Sequence, residues 1–135
     1  MDIFIDTGIF VAVLNSDDDS HPRAKELWKK ALKGEFGQIY TSDYVIDETV
    51  TLILARTKNH NLAIKSGKYI IDSPRINKIW LNQGIFQQTW EKFQQLKDKK
   101  LSFTDCTSIT LVETKLIKQI MSFDCGFDGL VSRIF

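Results

Sequence analysis

Ile3-Phe4-Ile5 is an apolar triplet with no polar alternation, and Asp6 follows it directly. Such a run suits a strand buried on both faces of a parallel sheet. Residues 7–14 read as a short helix and 15–20 as a polar loop. Pro22 sits near the first turn of a second helix, where proline is tolerated. Ala24, Leu27, Trp28, Ala31 and Leu32 then follow the i, i+3, i+4, i+7, i+8 spacing of one buried stripe. Lys25, Lys29, Lys30 and Lys33 fall off that stripe, and Gly34 and Gly37 mark its end.

Residues 38–41 form a short strand candidate, and Ser42 reads as the N-cap of a helix running to about Arg56. The apolar residues of that helix fall on two sides, Ile46, Val50, Ile53 and Leu54 on one and Val45 and Leu52 on the other. A helix apolar on more than one side is largely buried. Residues 59–61 interrupt the pattern, and 62–72 resume it before Pro74. Residues 76–81 suit a strand and 82–84 a turn. Phe86, Trp90, Phe93 and Lys97 give the next helix an aromatic face, a spacing more often found in a core or dimer interface than in a base-stacking platform. Residues 102–105 open another helix, with Ile109, Val112, Leu116 and Ile117 inward. Residues 119–123 then read as an apolar strand that delivers Asp124, and 130–135 as an edge strand. Short strands alternating with helices predict an α/β fold, a single domain over residues 1–135 with helices on both sides of a central parallel sheet.

Composition narrows the class without choosing a function. The chain is 43% hydrophobic and 26% charged, an ordinary globular balance. No apolar run approaches the ~20 residues a membrane span needs. The start shows no basic segment leading into an apolar stretch and a small-residue cleavage site, so a secretory signal is not expected. Two cysteines, Cys106 and Cys125, fit neither a disulfide framework nor a four-ligand zinc site, and a reducing cytoplasm is the expected location.

The candidate chemistry lies in four acids. Asp6 and Asp124 each follow an apolar strand, Asp105 opens a helix, and Glu48 sits between Val45 and Leu52 inside one. In open α/β sheets, ligands gather at the carboxyl ends of the strands, where right-handed crossovers can bring all four acids to one edge. Carboxylates that close together repel unless a cation joins them. Oxygen-only donors favour magnesium or manganese, and such a site is the usual apparatus for phosphodiester hydrolysis. With net charge +1, setting those four negative charges apart leaves +5 on the rest of the surface, a balance suited to a polyanionic substrate. Each acid also has a plainer role. Asp6 is placed to cap the helix after it, Asp105 to close a capping box with Ser102, Asp124 to make a turn, and Glu48 to pair with Arg56.

The motifs also resemble a family. An apolar strand with Asp6-Thr7-Gly8, Thr41-Ser42 followed by Glu48-Thr49, Leu101-Ser-Phe-Thr-Asp105-Cys106, and Phe123-Asp124-Cys-Gly-Phe127 are similar, in order and approximate spacing, to PIN-domain nucleases. The likeness covers essentially the whole chain, and Ser-Phe-Thr-Asp opening a helix is its most specific part. The compact single-domain form resembles the toxins of VapBC toxin–antitoxin pairs. The resemblance implies a sheet of about four to five strands and a magnesium- or manganese-dependent ribonuclease acting on RNA. It further implies a homodimer restrained by a cognate antitoxin. Asp6, Glu48, Asp105 and Asp124 would form the catalytic, metal-holding site, with Thr104 as a polar helper; Asp128 is an additional acid outside the family pattern, placed either to reach the site or to face water. The family also includes solitary RNA-processing nucleases, and the fold can serve as a non-catalytic interaction module. Gly8 stands where many members carry a polar residue. Cys106 and Cys125 each follow a proposed ligand and are expected to be small, buried residues beneath the site.

Overall fold

The computed structural model describes residues 1–135. Strand β1 spans Ile3–Ile5, and each of its residues is 0% exposed. Successive strand side chains point to opposite faces, so complete burial means that both faces of the sheet are covered. Helices α1 (Thr7–Leu14) and α2 (His21–Leu32) follow, then β2 (Ile39–Ser42), α3 (Asp43–Thr57) and α4 (His60–Asp72). The chain continues through β3 (Ile76–Ile79), α5 (Gln83–Gln95), α6 (Phe103–Thr114), β4 (Gln119–Met121), a 3-10 turn (Cys125–Phe127) and β5 (Ser132–Ile134).

The five strands lie in the order β3-β2-β1-β4-β5, and every neighbouring pair is parallel. The chain first builds outward from β1 to β2 and β3, then crosses back to set β4 against the other side of β1. Strand order therefore reverses between β1 and β4, with Ile5 opposite Met121 in register. A crevice opens at such a switch point, outside the carboxyl ends of the two strands. Asp6 stands at this crevice and Asp124 beside it. Phe4, Phe10 and Phe127 are the largest fully buried side chains of the main core, and Val11, Ile53 and Ala63 fill a smaller cluster where α1, α3 and α4 meet. No helix is long and apolar enough to cross a membrane.

Several boundaries differ from the sequence reading, each for a local reason. Helix α4 begins at His60 because Asn59 caps it, its Oδ1 accepting from the Leu62 amide, and the predicted interruption shrinks to a left-handed Lys58 at φ 54 and that cap. Residues 82–84 are a helix start and not a free turn, since Asn82 accepts from the Ile85 amide. Strand β3 stops at Ile79, and the Leu81 amide turns to Asp43 Oδ1. Leu116 is 79% exposed rather than inward, because α6 ends at Thr114 and Leu116 takes a left-handed φ of 57. Gly37 is needed where it stands: φ is +82, and a Cβ would overlap the Met1 carbonyl.

Candidate active site

Asp6, Glu48, Asp105 and Asp124 all line one cavity of about 440 Å³ at the carboxyl edge of the sheet, together with Thr7, Gly8, Leu52, Ser102 and Phe123. Four chain segments deliver them: the end of β1, the second turn of α3, the first turn of α6 and the turn after β4. A Cβ at Gly8 would meet nothing within 4 Å, so that wall of the cavity stays open.

Asp6 is only 5% exposed, yet its side chain makes no capping bond to α1. Its Oδ2 accepts from the Ser122 hydroxyl at 2.6 Å, and its Oδ1 is buried with no hydrogen-bond partner. Burial pushes the Asp6 carboxyl up to about 7. The Ser122 hydroxyl and the Thr7 amide oppose this shift, and the charges of Asp105 and Glu48 add to it. A buried acceptor without a donor costs free energy unless something positive meets it.

Asp105 closes its capping box while lining the cavity. Its amide donates to Ser102 Oγ at 3.0 Å and its Oδ2 accepts from the Ser102 amide at 3.0 Å, which completes the capping box. Oδ1 is not engaged in that box. Burial raises this carboxyl too, against the Ser102 hydrogen bonds and with a further push from Asp124 and Glu48. Asp124 is not the end of a strand: β4 stops at Met121, and the Asp124 amide donates to Ser122 Oγ at 3.0 Å. Its Oδ1 accepts from the Gly126 amide at 2.8 Å, so its turn role is real as well. Glu48 is half-buried, and its suggested partner Arg56 stands 3.7 Å from Asp18 instead.

Ser122 is the residue that sequence reasoning missed. One hydroxyl donates to Asp6 and accepts from the Asp124 amide, tying two acids that lie more than a hundred residues apart. Its one signal was its position two residues before Asp124, and short Ser-to-backbone bonds of this kind redirect a chain out of a strand. The two helper candidates are not brought to the cavity. Asp128 turns away to Arg133, with Oδ1 2.8 Å from Nε and Oδ2 3.1 Å from Nη2, and that pairing holds its carboxyl below the ordinary range. Thr104 contributes its carbonyl to α6, where Thr107 and Ser108 hydroxyls donate to it. The thiols also separate: both are free, Cys106 is buried and Cys125 is exposed, so only one matches the expected pair of buried residues.

The donor set is all oxygen, and Asp6 Oδ1 is a buried acceptor without a hydrogen-bond partner. The acids ring the cavity without three of them closing on one point. The chemistry of these donors fits magnesium or manganese.

The PIN-domain family matches residues 3–130. The chain belongs to the PIN-domain family. It is 31% identical over 127 residues to the 23S rRNA-specific endonuclease VapC20 of Mycobacterium tuberculosis, covering 94% of this chain and 92% of that protein. It is 25% identical over 131 residues to a VapC ribonuclease of Archaeoglobus fulgidus, with 94% and 80% covered. The crystal structure of VapC20, described as a sarcin-ricin loop cleaving toxin, superposes with a TM-score of 0.84 at 29% identity, covering 96% of both chains.

Proposed function

We propose that this chain is a divalent-metal-dependent endoribonuclease acting as the toxin of a toxin–antitoxin pair. The observation that carries the reading is the cavity itself: four carboxylates on four separate segments, one of them buried with an unpartnered oxygen, at the switch point of a parallel sheet. The names of the VapC relatives, one specific for ribosomal RNA, support RNA as the substrate and hydrolysis as the reaction.

Asp6, Asp105, Asp124 and Glu48 would hold the ion or ions. Bound magnesium or manganese would supply Lewis-acid activation of the phosphate and of water. The Ser122 hydroxyl keeps Asp6 Oδ2 occupied and leaves Oδ1 as the oxygen without a partner. Asp105 and Asp124 each commit one oxygen to local backbone and leave the other free. Glu48 reaches in from α3 without an ion-pair partner, and either it or Asp124 would orient the attacking water. Leu52 and Phe123 are the apolar residues of the cavity wall.

A small antitoxin restrains the enzyme in this reading, and two copies of the chain pair. Two unpartnered apolar faces are available. The outer surface of α4, with Ile64 44% and Ile71 49% exposed, is assigned to pairing, because the aromatic face of α5 adjoins the acidic cavity. The test is cleavage of end-labelled RNA by purified protein. Activity is expected with magnesium or manganese, to vanish in chelator, and to be lost in Asp105→Asn without loss of the fold. Full activity in chelator or in folded Asp105→Asn overturns the proposal.

A further inference from the structure

Phe103 is the first residue of α6, two positions before Asp105. Its ring is the hub of an aromatic cluster, with centroids 5.2 Å from Phe86, 6.0 Å from Phe93, 6.1 Å from Tyr44 and 6.4 Å from Trp90. The α5 aromatics, expected in a core or a dimer interface, are not enclosed within the chain itself. Phe86 is 43%, Trp90 46% and Phe93 37% exposed, and Trp90 stacks on Phe93 with their planes 18° apart. Exposed aromatic area of this extent on a small domain marks a site of interaction.

Beside the stack lies a second cavity, of about 600 Å³, lined chiefly by Trp90, Phe93, Leu96, Lys97, Lys100 and Leu101. Leu101 lines this cavity and Ser102, the next residue, lines the acidic one, so this stretch of chain forms a wall shared by both. Lys97 and Lys100 are exposed, and neither forms an ion pair. An apolar floor with free lysines at its rim matches a base with its phosphates, the ring meeting the aromatic surface and the lysines the charge.

We propose that the aromatic face of α5 and Phe103, with Lys97 and Lys100, is a nucleobase-binding subsite that takes an unpaired base of the RNA next to the phosphate held at the acidic cavity. The proposal rests on the ribonuclease reading and extends it to how the substrate is held. The base stacks on the Trp90–Phe93 surface and the lysines meet the neighbouring phosphates, while the phosphate to be cleaved crosses the shared wall toward Asp105. Because every base has a π-face, this subsite selects single-stranded RNA over duplex and not one sequence.

The test is metal-free fluorescence anisotropy with a labelled single-stranded RNA and with an abasic chain of the same length. Wild type should bind the RNA well above the abasic chain. Trp90→Ala and Phe93→Ala should each weaken RNA binding roughly 5- to 150-fold, and Trp90→Phe should restore most of it. Removing Lys97 and Lys100 should lower the slope of log affinity against log salt by about 0.7 for each phosphate that a lysine no longer neutralises. Equal affinity for the abasic chain, or wild-type affinity in both alanine variants with their fold intact by circular dichroism, overturns the proposal. Unchanged RNA affinity with a dimer turned to monomer in Trp90→Ala also overturns it, and gives the face to a second copy. Cleavage is scored separately with magnesium: no cleavage by wild type fails the ribonuclease reading, whereas cleavage with no stacking effect fails this inference alone.

Discussion

Asp6→Asn tests the electrostatic account of the cavity most directly. Burial pushes the Asp6 carboxyl up to about 7 in the fold, from an ordinary 3.8. At 1.36 kcal/mol per pKa unit, ionising it in the metal-free protein costs about 4 kcal/mol. A raised folded pKa means that the folded state binds more protons than the unfolded state between those two values. Stability from this group is therefore full below about pH 4, falls as pH rises through about 7, and is flat above. Between pH 5.5 and 7.5 the loss integrates to about 2 kcal/mol. For a chain of 135 residues that corresponds to a fall of about 7 °C in melting temperature. Asp105 is shifted in the same direction and steepens the trend. Asparagine carries no titrating proton, so Asp6→Asn should lose most of the gap between the two pH values and melt above wild type at pH 7.5. Any cost of the new amide enters equally at both pH values and cancels from the gap. The assay is thermal unfolding in chelator at both pH values, repeated with magnesium, which binds the folded state and should raise wild type more than the variant. An equal gap in wild type and Asp6→Asn refutes the reasoning.

Ser122→Ala removes the donor to Asp6 and the acceptor of the Asp124 amide, so it should cost about 1–3 kcal/mol at pH 7.5. Losing a hydrogen bond that lowers the Asp6 pKa should also widen the pH 5.5 to 7.5 stability gap; chemical denaturation at the two pH values reads both effects, and an unwidened gap counts against the Ser122–Asp6 bond. Ile71→Lys puts a charge on the outer face of α4, and light scattering at micromolar concentration should show a dimeric wild type and a monomeric variant. A monomeric wild type removes the pairing proposal, and a dimeric Ile71→Lys moves the interface elsewhere.

What the sequence by itself determined is local. The stripe of α2, the caps Ser42 and Ser102, and the doubly buried β1 follow from spacings within about a dozen residues, where helix and strand periods act directly. The four acids were legible because Asp6 and Asp124 follow apolar runs, Asp105 opens a helix and Glu48 lies between apolar residues of another, and their order along the chain matches a family. Tertiary structure decided what those acids share. The order β3-β2-β1-β4-β5 places Asp6 beside a turn from the far end of the chain, and a single Ser122 hydroxyl joins the two. It also decided which residues leave the site: Asp128 goes to Arg133, whose guanidinium offers it two donors, and Cys125 faces out while Cys106 is enclosed. The aromatic face of α5 carried the same ambiguity. Its spacing suits a core or a dimer interface, and only the packing of α5 on α6 left Trp90 and Phe93 outside the core of the chain. A spacing says which side chains share a face, whereas what covers that face depends on packing between segments far apart in the chain, and those energies are set only when the chain closes on itself.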